Sequence, residues 1–109
     1  MIAGSDRRRQ TRFRTALSVT DGRLGISTTT RDVSTDGMFV RALKYGVGDR
    51  ISVEVRFPDL PVPLRVAGDV VRAEPGEGVA LKLIHTSEPQ RLSFSGAVVR
   101  LAVAKTQPG

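Results

Sequence analysis

Two short stretches of the 109-residue chain carry side chains whose types and spacing suit molecular recognition. In SDRRRQTRFRT, residues 5–15, five arginines fall within eleven positions; Arg8 and Arg12 stand four apart, with Arg7 just before the pair and Arg9 inside it. In DVSTDG, residues 32–37, Asp32 and Ser34 offer a carboxylate and a hydroxyl at alternate positions, which an extended backbone sends to one face. Gly37 can take a positive φ or let a ligand approach the backbone. An arginine fork matches the N7 and O6 edge of guanine or the oxygens of a phosphate, and its plane stacks on a purine. A carboxylate complements the N1 and N2 donors of guanine, a pair that no other common base presents. Arginines together with one aspartate therefore spell guanine plus phosphate. A surface made only for a nucleic-acid backbone would gain nothing from Asp32, which repels phosphate.

Other chemistries find little support. The chain has no cysteine, which excludes disulfides and thiolate metal sites, and its one histidine, His85, has no partner at metal-binding spacing. Asp32, Asp36 and Asp49 lack the alternating carboxylates of a calcium loop. Ser34 sits in no nucleophile elbow. The expectation is a protein that is not an enzyme and carries no metal or cofactor. A formal charge of +6, concentrated before Thr15, points to an anionic partner. The C-terminal apolar run is broken by Arg100 and falls short of the roughly 20 residues that span a bilayer. No signal-peptide pattern precedes the arginines, so a cytoplasmic protein without membrane contact is expected.

The elements that must position these residues are mostly strands. RISVEVRF alternates Ile51, Val53, Val55 and Phe57 with polar residues, the pattern of a strand with one buried face. Further strands are expected at residues 13–20, 23–31, 38–41, 64–73 and 79–84, separated by the turn signals TDG, STDG, YGVGD, FPDLP and EPGEG. This predicts a mainly β fold, a six-stranded antiparallel β-barrel over residues 13–84 with a C-terminal α-helix over residues 87–104. Phe39 and Phe57 are expected in its core. For the helix, Ser87 is the N-cap, Pro89 lies in the first turn and Gln90 takes the capping-box position; Leu92, Phe94, Val98 and Leu101 form the face that closes the barrel. Gly96 marks a kink or a close contact. Residues 1–6 are expected to be a flexible N-terminus, residues 7–105 a single domain, and residues 106–109 a tail.

RxxxR at Arg8 to Arg12 followed by DxSxxG at Asp32 to Gly37, with a strand-rich remainder and a final helix, resembles the PilZ domain, a bacterial receptor for cyclic di-GMP. The resemblance covers essentially the whole chain. It implies that residues 7–14 form a loop that clamps the ligand. Arg8 and Arg12 would contact guanine and phosphate, with Arg9 as an auxiliary. Asp32 would hold a guanine edge, Ser34 would bond the ligand or brace the loop, and Gly37 would keep the turn open. In the family an arginine just before RxxxR goes with two intercalated cyclic di-GMP molecules, so Arg7 implies a ligand dimer. Where many members have an aromatic residue after the GxVV strand, this chain has Arg72. The implied function is a receptor and adaptor that orders its arginine loop on binding and signals in trans to a protein partner that the sequence does not name. A homodimer through the helix is left open. Two alternatives are a small barrel binding single-stranded nucleic acid, disfavoured because exposed aromatic platforms are lacking, and a PilZ-like interaction module that binds no nucleotide.

Overall fold

The computed structural model describes residues 12–106. Seven strands, β1 (Phe13–Arg14), β2 (Ser18–Asp21), β3 (Ile26–Val33), β4 (Gly37–Arg41), β5 (Arg50–Arg56), β6 (Leu64–Glu74) and β7 (Gly78–Ile84), precede one helix, α1 (Glu88–Thr106). Every strand pairing is antiparallel, and the order β3-β2-β5-β6-β7-β4 closes on itself through pairing of β4 with β3. The result is the six-stranded barrel expected from the alternation, with β1 added beside the end of β3.

The expected strand over residues 13–20 is in fact two strands, and the cause is a cross-strand hydroxyl. Thr30, fully buried, donates from Oγ1 to the Thr15 carbonyl at 2.6 Å and accepts from the Leu17 N–H at 2.9 Å. One side chain thereby satisfies two backbone groups that a continuous ladder would pair. The strand expected at residues 23–31 begins later and ends later, at Ile26–Val33. Its start is delayed because Asp21 accepts from the N–H groups of Arg23 and Leu24, fixing a turn that Gly25 completes at φ 68°.

The core follows the period-two pattern most clearly in β5, where Ile51, Val53 and Val55 point inward. In β4, Met38 and Val40 point inward too, whereas Phe39 does not belong to this core. It is fully buried on the outer side of the barrel, where the Arg31 guanidinium lies 3.7 Å from its ring centre. Phe57 is a core residue as expected, and Phe94 of α1 meets it edge-on at 5.6 Å. Phe94, Ala97 and Val98 bury the inner face of the helix, with Leu101 packed partly against the same cluster. Burial of the Phe94 ring contributes about 1.5–3 kcal/mol. Leu92, expected on this face, is 56% exposed because the inward stripe runs through residues 94, 97, 98 and 101. The helix starts as the sequence predicts: Gln90 N–H donates to Ser87 Oγ at 3.2 Å. The return bond is shifted by one residue, since Gln90 Oε1 accepts from Thr86 N–H at 2.7 Å. The helix runs unbroken through Gly96, where a Cβ would lie 3.1 Å from the Arg100 guanidinium.

Candidate functional site

The strand pairing brings the two motifs together. β1 runs antiparallel to the end of β3, with Phe13 opposite Val33, so the residue before Phe13 arrives beside the turn that follows Val33. That residue is Arg12. Its Nη1 donates to Asp32 Oδ1 at 2.5 Å. Its Nη2 lies 3.3 Å from where a Cβ on Gly37 would stand. Arg7, Arg8 and Arg9 lie outside the described residues.

Gly37 owes its place to close packing rather than to a positive φ. It is a strand residue opposite Lys82, and a Cβ there would come 2.5 Å from the Leu81 carbonyl oxygen. Any larger residue would push β4 from β7 and displace Arg12. Ser34 is 2% exposed and spends its hydroxyl on the turn, accepting from Gly37 N–H at 3.1 Å and from Asp36 N–H at 3.3 Å. The Ser34 N–H donates to the Gly37 carbonyl at 2.8 Å. Of the two roles open to Ser34, bracing the loop is the one its bonds describe.

Beside this turn lies a cavity of about 400 Å³, lined by Arg12, Ser34, Asp36, Gly37, Val71 and Lys82 along with Leu81. Asp32 is not in the lining; it stands behind Arg12 and is 15% exposed against 42% for the arginine. The carboxylate is thus reached through the guanidinium. Its other oxygen, Oδ2, accepts from Arg31 Nε at 3.2 Å. Arg31 continues to Glu74 Oε1 at 3.3 Å, and Glu74 Oε2 accepts from Arg72 Nε at 2.9 Å. Charges therefore alternate across β3 and β6 in the order Arg12, Asp32, Arg31, Glu74, Arg72. Burial acts to lower the proton affinity of Arg31, but its bonds to Asp32 and Glu74 outweigh it and raise the value. The bond from Arg72, helped by Arg31 and opposed by burial, holds the Glu74 carboxyl below its usual range.

Sequence reasoning missed four residues here. Asp36 lies inside the second motif and Lys82 on an outward strand position, so both were legible as surface charges. Val71 and Arg31 were hidden by irregularities of the strands. The register of β6 against β7 shifts between Val70 and Arg72, which leaves Val71 as an extra residue, 52% exposed. The register of β3 against β4 shifts between Thr30 and Asp32 in the same way. Arg31 and Asp32, neighbours that strict alternation sends to opposite faces, both reach the Phe39 side.

At the far end of β2 a second aspartate is held differently. Asp21 is fully buried, and its Oδ2 accepts from the Tyr45 hydroxyl at 2.5 Å. Burial, reinforced by this bond, pushes the Tyr45 phenol up to about 12. Among the described residues, no three His, Asp or Glu side chains are placed to hold a metal ion, and no helix is long and apolar enough to cross a membrane.

The model of the PilZ domain family matches residues 6–101. The chain belongs to the PilZ family. PilZ domains form a family of cyclic di-GMP-binding and adaptor modules. Solved structures agree on the fold. The Bacillus subtilis inhibitor of motility MotI (DgrA) superposes with a TM-score of 0.72 at 18% identity, over 91% of this chain and 52% of that one. The chain thus spans about half the length of the motility inhibitor. An uncharacterized Legionella protein superposes with a TM-score of 0.67 at 15% identity, over 89% of this chain and 99% of that one. The PilZ domain of CeSA from a cellulose-synthesizing bacterium gives 0.54 at 19% identity, with the same coverage of 89% and 99%. No curated protein sequence matches the chain.

Proposed function

We propose that this PilZ domain is a receptor for cyclic di-GMP that binds through Arg8, Arg12 and Asp32 and passes the signal in trans to a protein partner. The observation that supports the reading is the Arg12–Asp32 pair at 2.5 Å beside the Gly37 turn, which joins a residue of the first motif to one of the second. Both members of the pair have something to gain from the ligand. A guanine edge offers Asp32 two donors, and a phosphate offers Arg12 two acceptors, so the internal pair exchanges for two external ones. Arg9 adds positive charge, Ser34 keeps the turn in shape and Gly37 keeps it narrow. Arg7 would admit a second, intercalated ligand molecule. Neutralising the arginines against the barrel would give a partner a surface that it can tell from the free form.

The test is calorimetric titration with cyclic di-GMP at physiological salt, with GMP and cyclic AMP as controls. Selective uptake of two molecules per chain is the expected result. Absence of binding would sink the receptor reading and favour the interaction module. Arg7→Leu should reduce the stoichiometry to one ligand per chain, and a variant that still takes up two would remove Arg7 from that role. The nucleic-acid alternative is weakened by Phe39 and Phe57, both buried and closed to base stacking.

A further inference from the structure

We infer that Arg31, which belongs to neither motif, is the positioning residue that aims the Asp32 carboxylate at guanine; this rests on the receptor reading above. A carboxylate on a short side chain turns freely unless something fixes its plane, and recognition of two adjacent donors needs that plane fixed. Arg12 is poorly placed to fix it. Its side chain is 42% exposed, it precedes β1 rather than lying within a strand, and on ligand binding it would leave Asp32 for a phosphate.

Arg31 has the opposite character. It is 23% exposed and held from three sides: Asp32 Oδ2 at 3.2 Å, Glu74 Oε1 at 3.3 Å and the Phe39 ring at 3.7 Å beneath its plane. Its anchors are themselves anchored. Glu74 is bonded to Arg72 on the same strand, and Phe39 is fully buried opposite Asp32 in the β3–β4 register. Arg31 bonds one lone pair of Oδ2. Release of Arg12 would then open Oδ1 and the second lone pair of Oδ2, the two acceptors that the N1 and N2 donors of guanine require.

This role predicts an effect on base selectivity that loss of structure alone would not produce. The experiment measures the affinities of the full chain, Arg31→Leu and Arg31→Lys for cyclic di-GMP and for its inosine analogue, which lacks the 2-amino groups. The native protein should prefer the guanine ligand by about tenfold or more. Arg31→Leu should bring the ratio close to one while retaining binding through the phosphates. Arg31→Lys should fall near the leucine variant, because an ammonium lacks the planar fork and the stack on Phe39. Glu74→Gln, which keeps Arg31 but loosens its anchor, should lower the ratio part of the way and serves if Arg31→Leu unfolds. A drop in affinity for both ligands with an unchanged ratio, in Arg31→Leu or Glu74→Gln, would overturn the aiming role and leave the receptor reading standing. A native chain that binds neither ligand would overturn both.

Discussion

Asp21 and Asp32 are two aspartates on the same small barrel, both mostly or fully withdrawn from water, and they differ in what holds them. Asp21 accepts from two backbone N–H groups and a phenol, neutral donors that the fold fixes in place. Asp32 accepts from two arginine side chains, one of them 42% exposed. Neutral backbone donors have nowhere else to go, so Asp21 is a component of the turn. A guanidinium can leave for another anion, so Asp32 can exchange partners. Burial alone does not separate a carboxylate that can exchange partners from one fixed in a turn; the freedom of its donors does.

The comparison breaks most sharply under a pair of truncations. Asp21→Ala strands two N–H groups and the Tyr45 hydroxyl and should cost about 3 kcal/mol, read as a fall in Tm of roughly 15 °C. Asp32→Ala should change stability by about 1 kcal/mol or less yet weaken cyclic di-GMP binding by about a hundredfold. If the two variants exchanged these effects, the assignment of roles would be wrong. Arg12→Ala comes next, with an expected loss of about ten- to a hundredfold in affinity and little change in Tm. Unchanged affinity would remove Arg12 from the site.

The smallest effect sharpens the other side of the comparison. Tyr45 is the single tyrosine of a chain without tryptophan, so tyrosinate absorbance reports on it alone. Its titration should centre near about 12 instead of 10, and Asp21→Asn should bring it part of the way back. Because the folded value lies above the unfolded one, this group favours folding fully below about 10, and the benefit fades as pH rises toward about 12. Partial exposure limits that benefit to on the order of 1 kcal/mol. A midpoint at 10 in the folded protein would mean that the phenol is neither withdrawn from water nor bound to the carboxylate.

What the sequence reveals of this molecule depends on how regular each segment is. β5 was legible because its two faces meet different media, core and water, and Ile51, Val53 and Val55 alternate accordingly. β4 gave its existence but not its orientation, since Met38, Phe39 and Val40 are all buried, two by the core and one by an arginine from a neighbouring strand. The break between β1 and β2 left no local trace, because it is made by a hydroxyl at Thr30, far along the chain. At the site, Arg12, Asp32, Ser34 and Gly37 were named from their motifs. Arg31 and Val71 were not, because each is the extra residue of a strand whose register slips, and that slip is written in the partner strand.

The closure of the barrel has a kinetic side. The pairings that complete it join Ser18 to Arg56 and Gly37 to Lys82, residues remote in sequence, so the chain must close long loops before these contacts reward it. Such topologies fold in milliseconds to seconds rather than microseconds. The cavity beside Arg12 draws on β4, β6 and β7 at once and exists only when that closure is complete. A ligand that bound only the closed barrel would slow its opening without hastening its formation.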